Sequence, residues 1–193
     1  MIPHGQVYPY QCQNFFSGVK DPIQAICLHG TAAKQARGAL QAALATLTNP
    51  RYDNPDAAVS SNYVIAKNGE IYFLVDWRAG RRAWANGPVK APDKRIAWLL
   101  FAVQKKVNIN RLTISIEHEA TDEEMKRSAP MPDAQFNSST WLVLSLLQEL
   151  GLPINDQTVI GHRQINSVDK AYCPGVIDIP AYIEVLKLRE NML

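Results

Sequence analysis

The sequence predicts an α/β fold, a single domain in which a central mixed β-sheet is flanked by helices. Three observations carry this. A chain of 193 residues, 47% hydrophobic and 20% charged, has the size of one core. Short apolar runs of strand type alternate along it with stretches of helical spacing, which implies a sheet covered by helices. One Asn-Gly turn joins two neighbouring strand-like runs, so an antiparallel pair sits among strands separated by helices.

Residues 1–21 mix polar, aromatic, Gly and Pro residues with neither period, and read as an irregular arm packed on the domain of 22–193. Ile23 to Leu28 is a short apolar run ending at His29-Gly30, a buried strand that delivers His29 at its carboxyl end. Ala32 to Leu47 is rich in Ala, Leu, Gln and Lys, with Ala36, Leu40, Ala43, Leu44 and Leu47 at helical spacing, and Asn49-Pro50 closes that helix. Ser61 to Ile65 and Glu70 to Val75 favour strands, with Lys67-Asn68-Gly69 as the tight turn between them. Residues 77–93 are loop-like. Lys94 to Lys106 places Ile96, Leu99, Leu100 and Val103 on a helical stripe. In Leu112 to Glu119 the residues Thr113, Ser115, Glu117 and Glu119 alternate with Ile114, Ile116 and His118, a strand with one polar face. A polar loop from Ala120 to Pro130 follows. Pro132 opens a helix that runs to Leu150 and stops at Gly151. Thr158 to Gly161 is a brief strand leading into His162, and Ile179 to Arg189 is a terminal helix begun near Pro180. No repeat or linker marks a second domain.

Charge excludes some partners. A formal net charge of +2, from 20 basic and 18 acidic residues, leaves no broad footprint for nucleic acid. Arg78, Arg81 and Arg82 cluster locally, either to meet an acidic substrate or as a solvated loop. No stretch reaches the roughly 20 apolar residues that span a bilayer, and no cationic start with an apolar run opens the chain. Neither membrane insertion nor an export signal is expected. The three cysteines, Cys12, Cys27 and Cys173, are an odd number, so at least one thiol is free, metal-bound or paired outside the molecule.

Of the four histidines, His29 and His162 each end a predicted strand beside a glycine, where sites are commonly built. With Cys173-Pro174-Gly175 downstream they make two imidazoles and a thiolate, a ligand set for Zn²⁺ that leaves a fourth position open. His118 alternates onto the apolar face and reads as structural. His4 lies in the arm and supports no argument. Cys27 faces the same side as His29 and reads as a buried free thiol.

Four blocks occur in order: Leu28-His29-Gly30-Thr31, Val59-Ser60-Ser61-Asn62-Tyr63-Val64-Ile65, Ile114-Ser115-Ile116-Glu117-His118-Glu119 and Gly161-His162-Arg163. On these the chain resembles the N-acetylmuramoyl-L-alanine amidase type 2 family, which includes phage amidase-type lysozymes, cytosolic anhydromuropeptide amidases and peptidoglycan recognition proteins. The resemblance runs from about Ile23 to about Pro174. It implies one zinc ion per chain on His29, His162 and Cys173, and hydrolysis of the amide between N-acetylmuramic acid and L-alanine in peptidoglycan or a muropeptide.

Family members assist the attacking water with either a tyrosine or a glutamate. Here Ser61 stands at the tyrosine position and Glu117 at the glutamate position, so Glu117 is the expected proton shuttle, with Glu119 as fallback. Many members carry a lysine two residues before the third ligand; this chain has Ala171 there and Lys170 one residue earlier. Either Lys170 holds the developing oxyanion, or the metal or a backbone amide does. Asn86, in Ala85-Asn86-Gly87, departs from the His-Ala-Gly of relatives and is expected to hydrogen-bond glycan or stem peptide. Trp84 either stacks on a sugar or anchors packing. The resemblance implies a phage-type lysin, made in the cytoplasm and released to the wall; a recycling amidase or a non-catalytic peptidoglycan-binding module are the alternatives. Oligomeric state is not legible.

Overall fold

The structure, a computed structural model, describes residues 6–35, 37–50 and 58–192. Its frame is a six-stranded mixed sheet. In chain order the strands are β1 (Val7–Pro9), β3 (Ala25–Gly30), β4 (Tyr63–Ile65), β5 (Ile71–Phe73), β7 (Thr113–His118) and β8 (Val159–Gly161); β2 (Phe15–Phe16) and β6 (Arg82–Ala83) form a separate antiparallel pair. The sheet order is β1-β5-β4-β7-β3-β8. Only β4 and β5 run antiparallel, as the hairpin over Lys67-Asn68-Gly69 requires, with Gly69 at φ 89° in the left-handed region where a side chain is disfavoured. The other neighbours are parallel, and both sheet faces are covered.

Strand periodicity divides the two faces. Ile26, Leu28, Tyr63, Ile65, Ile114 and Ile116 pack with α4 (Asp133–Leu150) and α6 (Ile179–Glu190) through Leu142, Val143, Leu146, Ile183 and Leu186. Ala25, Cys27 and Ile160 face α2 (Ala97–Gln104) through Leu99 and Ala102, while Val64 meets Leu44 and Leu47 of α1 (Ala39–Thr48). Burying each large aliphatic side chain contributes roughly 1.5–3 kcal/mol, and the two-sided core holds the sheet rigid beneath its carboxyl-end loops.

Several expectations need correction. The segment read as an irregular arm contains β1 and β2, because Val7, Tyr8 and Pro9 find the free edge of β5 at Ile71, Tyr72 and Phe73. His4 lies outside the described residues. The helix expected from Ala32 begins only at Ala39, after Gly38 at φ 74°. Ala33 is held extended instead: its N–H donates to the Ala120 carbonyl, its carbonyl accepts from Asp122 N–H, and it bridges Thr121 in parallel. The supposed polar loop after β7 contains α3 (Asp122–Lys126), whose capping box joins Thr121 and Glu124. Arg82 is buried, donating to the carbonyls of Arg111, Trp77, Arg81 and Asp21, and Arg78 pairs with Glu149, so the arginine cluster braces the fold.

Candidate active site

His29 and Glu117 are register partners near the carboxyl ends of β3 and β7, so their side chains leave the same face of the sheet side by side. Glu117 Oε1 lies 4.0 Å from His29 Nδ1. His162 opens α5 (His162–Ile165) directly after β8, and its Nδ1 is 3.0 Å from that of His29. The loop carrying Cys173 is tied to this point twice: Arg163 N–H donates to the Cys173 carbonyl at 2.8 Å, and Cys173 N–H closes a turn onto the Lys170 carbonyl at 2.9 Å. One ligand atom from each of His29, His162 and Cys173 lies within 4.8 Å of the others, and all three residues are buried.

This group fits a metal ion on its own chemistry. Burial, followed by the charge of His162, holds the His29 imidazole well below the usual histidine range, and burial brings His162 down to about 4. Both rings therefore keep lone pairs at neutral pH. Burial first and Glu117 second push the Cys173 thiol up to about 12, which a cation would reverse. Two imidazoles and one thiolate are a donor set for zinc. The thiol is available for it, since all three cysteines are free.

Glu117 has the environment of a proton carrier. Burial raises its carboxyl to about 7, with Lys170 acting in the opposite direction. Its Oε2 is buried without a hydrogen-bond partner. Ser61, at the alternative position, is fully buried with its hydroxyl held between the carbonyls of Tyr63 and Ser115. The fallback Glu119 accepts from Lys67 N–H at 2.8 Å and is occupied with the β4–β5 turn.

A cleft of about 430 Å³ opens onto these groups, lined among others by Trp84, Asp122, Tyr172 and Lys170. Despite its one-residue offset Lys170 lines the same cleft, at its exposed rim, and its positive charge works against the rise of the Glu117 carboxyl and the Cys173 thiol. Trp84 lines the cleft with its ring 4.4 Å from that of Phe16.

Asn86 does not reach the cleft. It is 0% exposed, its N–H donating to Asn110 Oδ1 and its amide nitrogen to Thr113 Oγ1, each at 2.8 Å, so the expected contact with glycan or peptide is not available to it. His118, on the opposite sheet face, is structural as its alternation suggests: Nδ1 donates to the His29 carbonyl at 2.9 Å and Nε2 accepts from Ser139 Oγ at 2.7 Å. Asn110, Thr113 and Ser139, which hold Asn86 and His118 around the site, carry no local signal in the sequence. Only the Thr121-x-x-Glu124 pattern, which seats α3 beneath the Cys173 loop, was visible as a local signal.

A mixed sheet of this order gathers two imidazoles, a thiol and a buried carboxyl at its carboxyl end, a set of groups suited to a metal-assisted hydrolase. The model of one family, described as N-acetylmuramoyl-L-alanine amidase, matches residues 19–176. The chain belongs to that family, and its activity is that of a peptidoglycan amidase. Among solved structures, PlyL is 16% identical and aligns over 94% of this chain and 96% of its own, with a TM-score of 0.61. The Ph2119 endolysin from a Thermus scotoductus bacteriophage is 13% identical over 93% of this chain and 97% of its own, with a TM-score of 0.59. The amidase AmiD from E. coli, solved with an anhydro-N-acetylmuramic acid peptide substrate, is 22% identical over 77% of this chain and 51% of its own, with a TM-score of 0.52. These likenesses concern the fold. No curated protein matches the chain in sequence.

Proposed function

We propose that the protein is a zinc-dependent amidase that hydrolyses the bond between N-acetylmuramic acid and L-alanine, working on polymeric wall as a phage-type lysin. The observation that carries this reading is the His29, His162 and Cys173 group, with ligand atoms within 4.8 Å of one another and Glu117 beside it. When bound there, zinc supplies Lewis acidity, polarising the scissile carbonyl and making water a competent nucleophile near neutral pH.

The chain's own residues do the rest. Glu117 accepts a proton as water adds to the lactyl carbonyl, then delivers it to the nitrogen of L-alanine as the C–N bond breaks. The products are a free carboxylate on the muramic acid and a free amine on the stem peptide. The buried setting of Glu117 suits both halves of that role, because a carboxyl near neutrality gives up a proton as readily as it takes one. Lys170, at the rim, offers positive charge to the developing oxyanion. Trp84 provides a flat apolar wall for a sugar or peptide.

The lysin setting is supported by neighbours named as endolysins. The fold also resembles AmiD, solved with a small anhydromuropeptide. Intact wall and small anhydromuropeptides offered in competition test the choice: faster release from wall is expected, and preference for the fragment would assign a recycling role instead.

A further inference from the structure

A surface helix ordinarily turns an apolar stripe to the core and charged residues to solvent. α2 does not. Its eight residues carry no charge, and Gln104 is the only polar one. Leu99 and Ala102 pack under the sheet with Ile96, and Trp98 is anchored there by donating its Nε1–H to the Gln157 carbonyl at 2.7 Å. The rest of the stripe read from the sequence faces the other way. Leu100, Phe101 and Val103 are 37, 60 and 40% exposed, beside the exposed Ala97, so a fixed helix presents an apolar ridge to solvent.

Cations stand at both ends of this ridge. Lys94 and Arg95 precede α2, Lys105 and Lys106 follow it, and all four are exposed, with no acidic residue between Lys94 and Lys106. Asp93 pairs with Arg95, whereas Lys94, Lys105 and Lys106 form no ion pair among the described residues. The Lys105 ammonium leans over Phe101, 5.7 Å from the ring centroid.

That charge pattern disfavours a second copy of the chain as the cover. Pairing two α2 helices about a two-fold axis sets Lys94 and Arg95 either against themselves or against Lys105 and Lys106, like charges in both cases. A bilayer surface of anionic phospholipid complements both features: its headgroups attract the flanking lysines, and its acyl boundary takes up a convex apolar ridge for which no groove need be preformed. We infer that the outer face of α2 is a peripheral docking surface for anionic phospholipid bilayers, with Leu100, Phe101 and Val103 at the acyl boundary and Lys94, Lys105 and Lys106 on the headgroups. The helix lies on the surface; among the described residues none is long and apolar enough to cross a membrane. Neither zinc nor amide hydrolysis enters this inference.

Flotation of the protein with vesicles of phosphatidylglycerol and phosphatidylethanolamine, against vesicles of phosphatidylcholine alone, tests it. Binding is expected on the anionic vesicles only, and is expected to weaken as salt rises. Lys94→Gln combined with Lys105→Gln is expected to bind about 25-fold more weakly, at about fivefold per charge. Phe101→Ser is expected to lose about 10-fold with every cation in place, and Val103→Ser repeats that test at a second exposed position. Absence of binding to the anionic vesicles overturns the inference, as does equal binding to phosphatidylcholine or unchanged binding by both serine variants. A lipid-free wild-type dimer that Phe101→Ser splits into monomers, seen by light scattering, would give the face to a second copy and overturn it too.

Discussion

Glu117 and His29 are paired across β3 and β7, with the carboxyl oxygen 4.0 Å from the ring Nδ1. Because parallel register fixes which side chains share a face, Glu117 and His29, the proposed acid/base group and first ligand, cannot be separated without shifting the sheet. Glu117→Gln keeps shape and burial while removing the proton function. Release of L-alanine amines from purified peptidoglycan is expected to fall about 10²- to 10⁴-fold. Zinc content is expected to be unchanged and stability equal or higher, since a buried carboxyl without a full set of partners is costly. Release at the wild-type rate would take Glu117 out of the reaction.

Ser139→Ala tests the support behind His29. The Tyr182 hydroxyl lies 2.7 Å from Ser139 Oγ, which donates to His118 Nε2, and His118 Nδ1 holds the His29 carbonyl. Loss of the hydroxyl strands two buried polar groups, at a cost of about 1–3 kcal/mol. Urea denaturation should show that drop in midpoint.

Gly175→Ala probes the seat of Cys173, the proposed third ligand. A Cβ at Gly175 would collide with the main-chain carbonyl of Met125 in α3, which a rotamer change cannot relieve. The Cys173 loop must move away, so both stability and zinc affinity are expected to fall, the former by more than about 2 kcal/mol. Paired calorimetric and chelator-competition measurements would detect the joint loss.

Asp93 predicts an acid-sensitive contribution to stability. Its side chain accepts from Arg95 N–H and guanidinium and reaches Gln164, and the Arg95 hydrogen bond foremost lowers its carboxyl to about 2. A depressed folded-state value means that this stabilisation is complete above the unfolded value near 3.9 and disappears as pH falls towards about 2. Arg95 is largely exposed, so solvent screening limits the effect to about 1 kcal/mol. Asp93→Asn should be less stable than wild type at pH 6 and converge with it near pH 2, as followed by thermal melts.

The strands, hairpin and long helices were legible because periodicity and turn residues report directly on burial. Gly69 and Gly151, both at positive φ, mark their turn and helix end as expected. His29 and His162 are legible as candidate ligands because each sits in a short ordered block at a strand end, and Cys173 through the Cys-Pro-Gly that follows. What the residues could not show were features set by distant partners. Ala32 to Gly38 is rich in helix formers, yet Ala33 gives its backbone to Ala120 and Asp122, and that pairing outweighs propensity. Val7–Pro9 becomes a strand only because the β5 edge is free to receive it. In the sequence Asn86 reads as a loop residue available to substrate, yet it is buried. Its burial against Thr113 and Asn110, some 25 residues on, is a tertiary fact.

His29, His162 and Cys173 are proposed to hold a catalytic zinc. Zinc content and amide hydrolysis measured on the same preparation, before and after chelation, test it most directly. About one zinc per chain is expected, with release of L-alanine amines abolished by chelation and restored by stoichiometric zinc. A zinc-free protein that still cleaves the muramoyl amide at the original rate would contradict it.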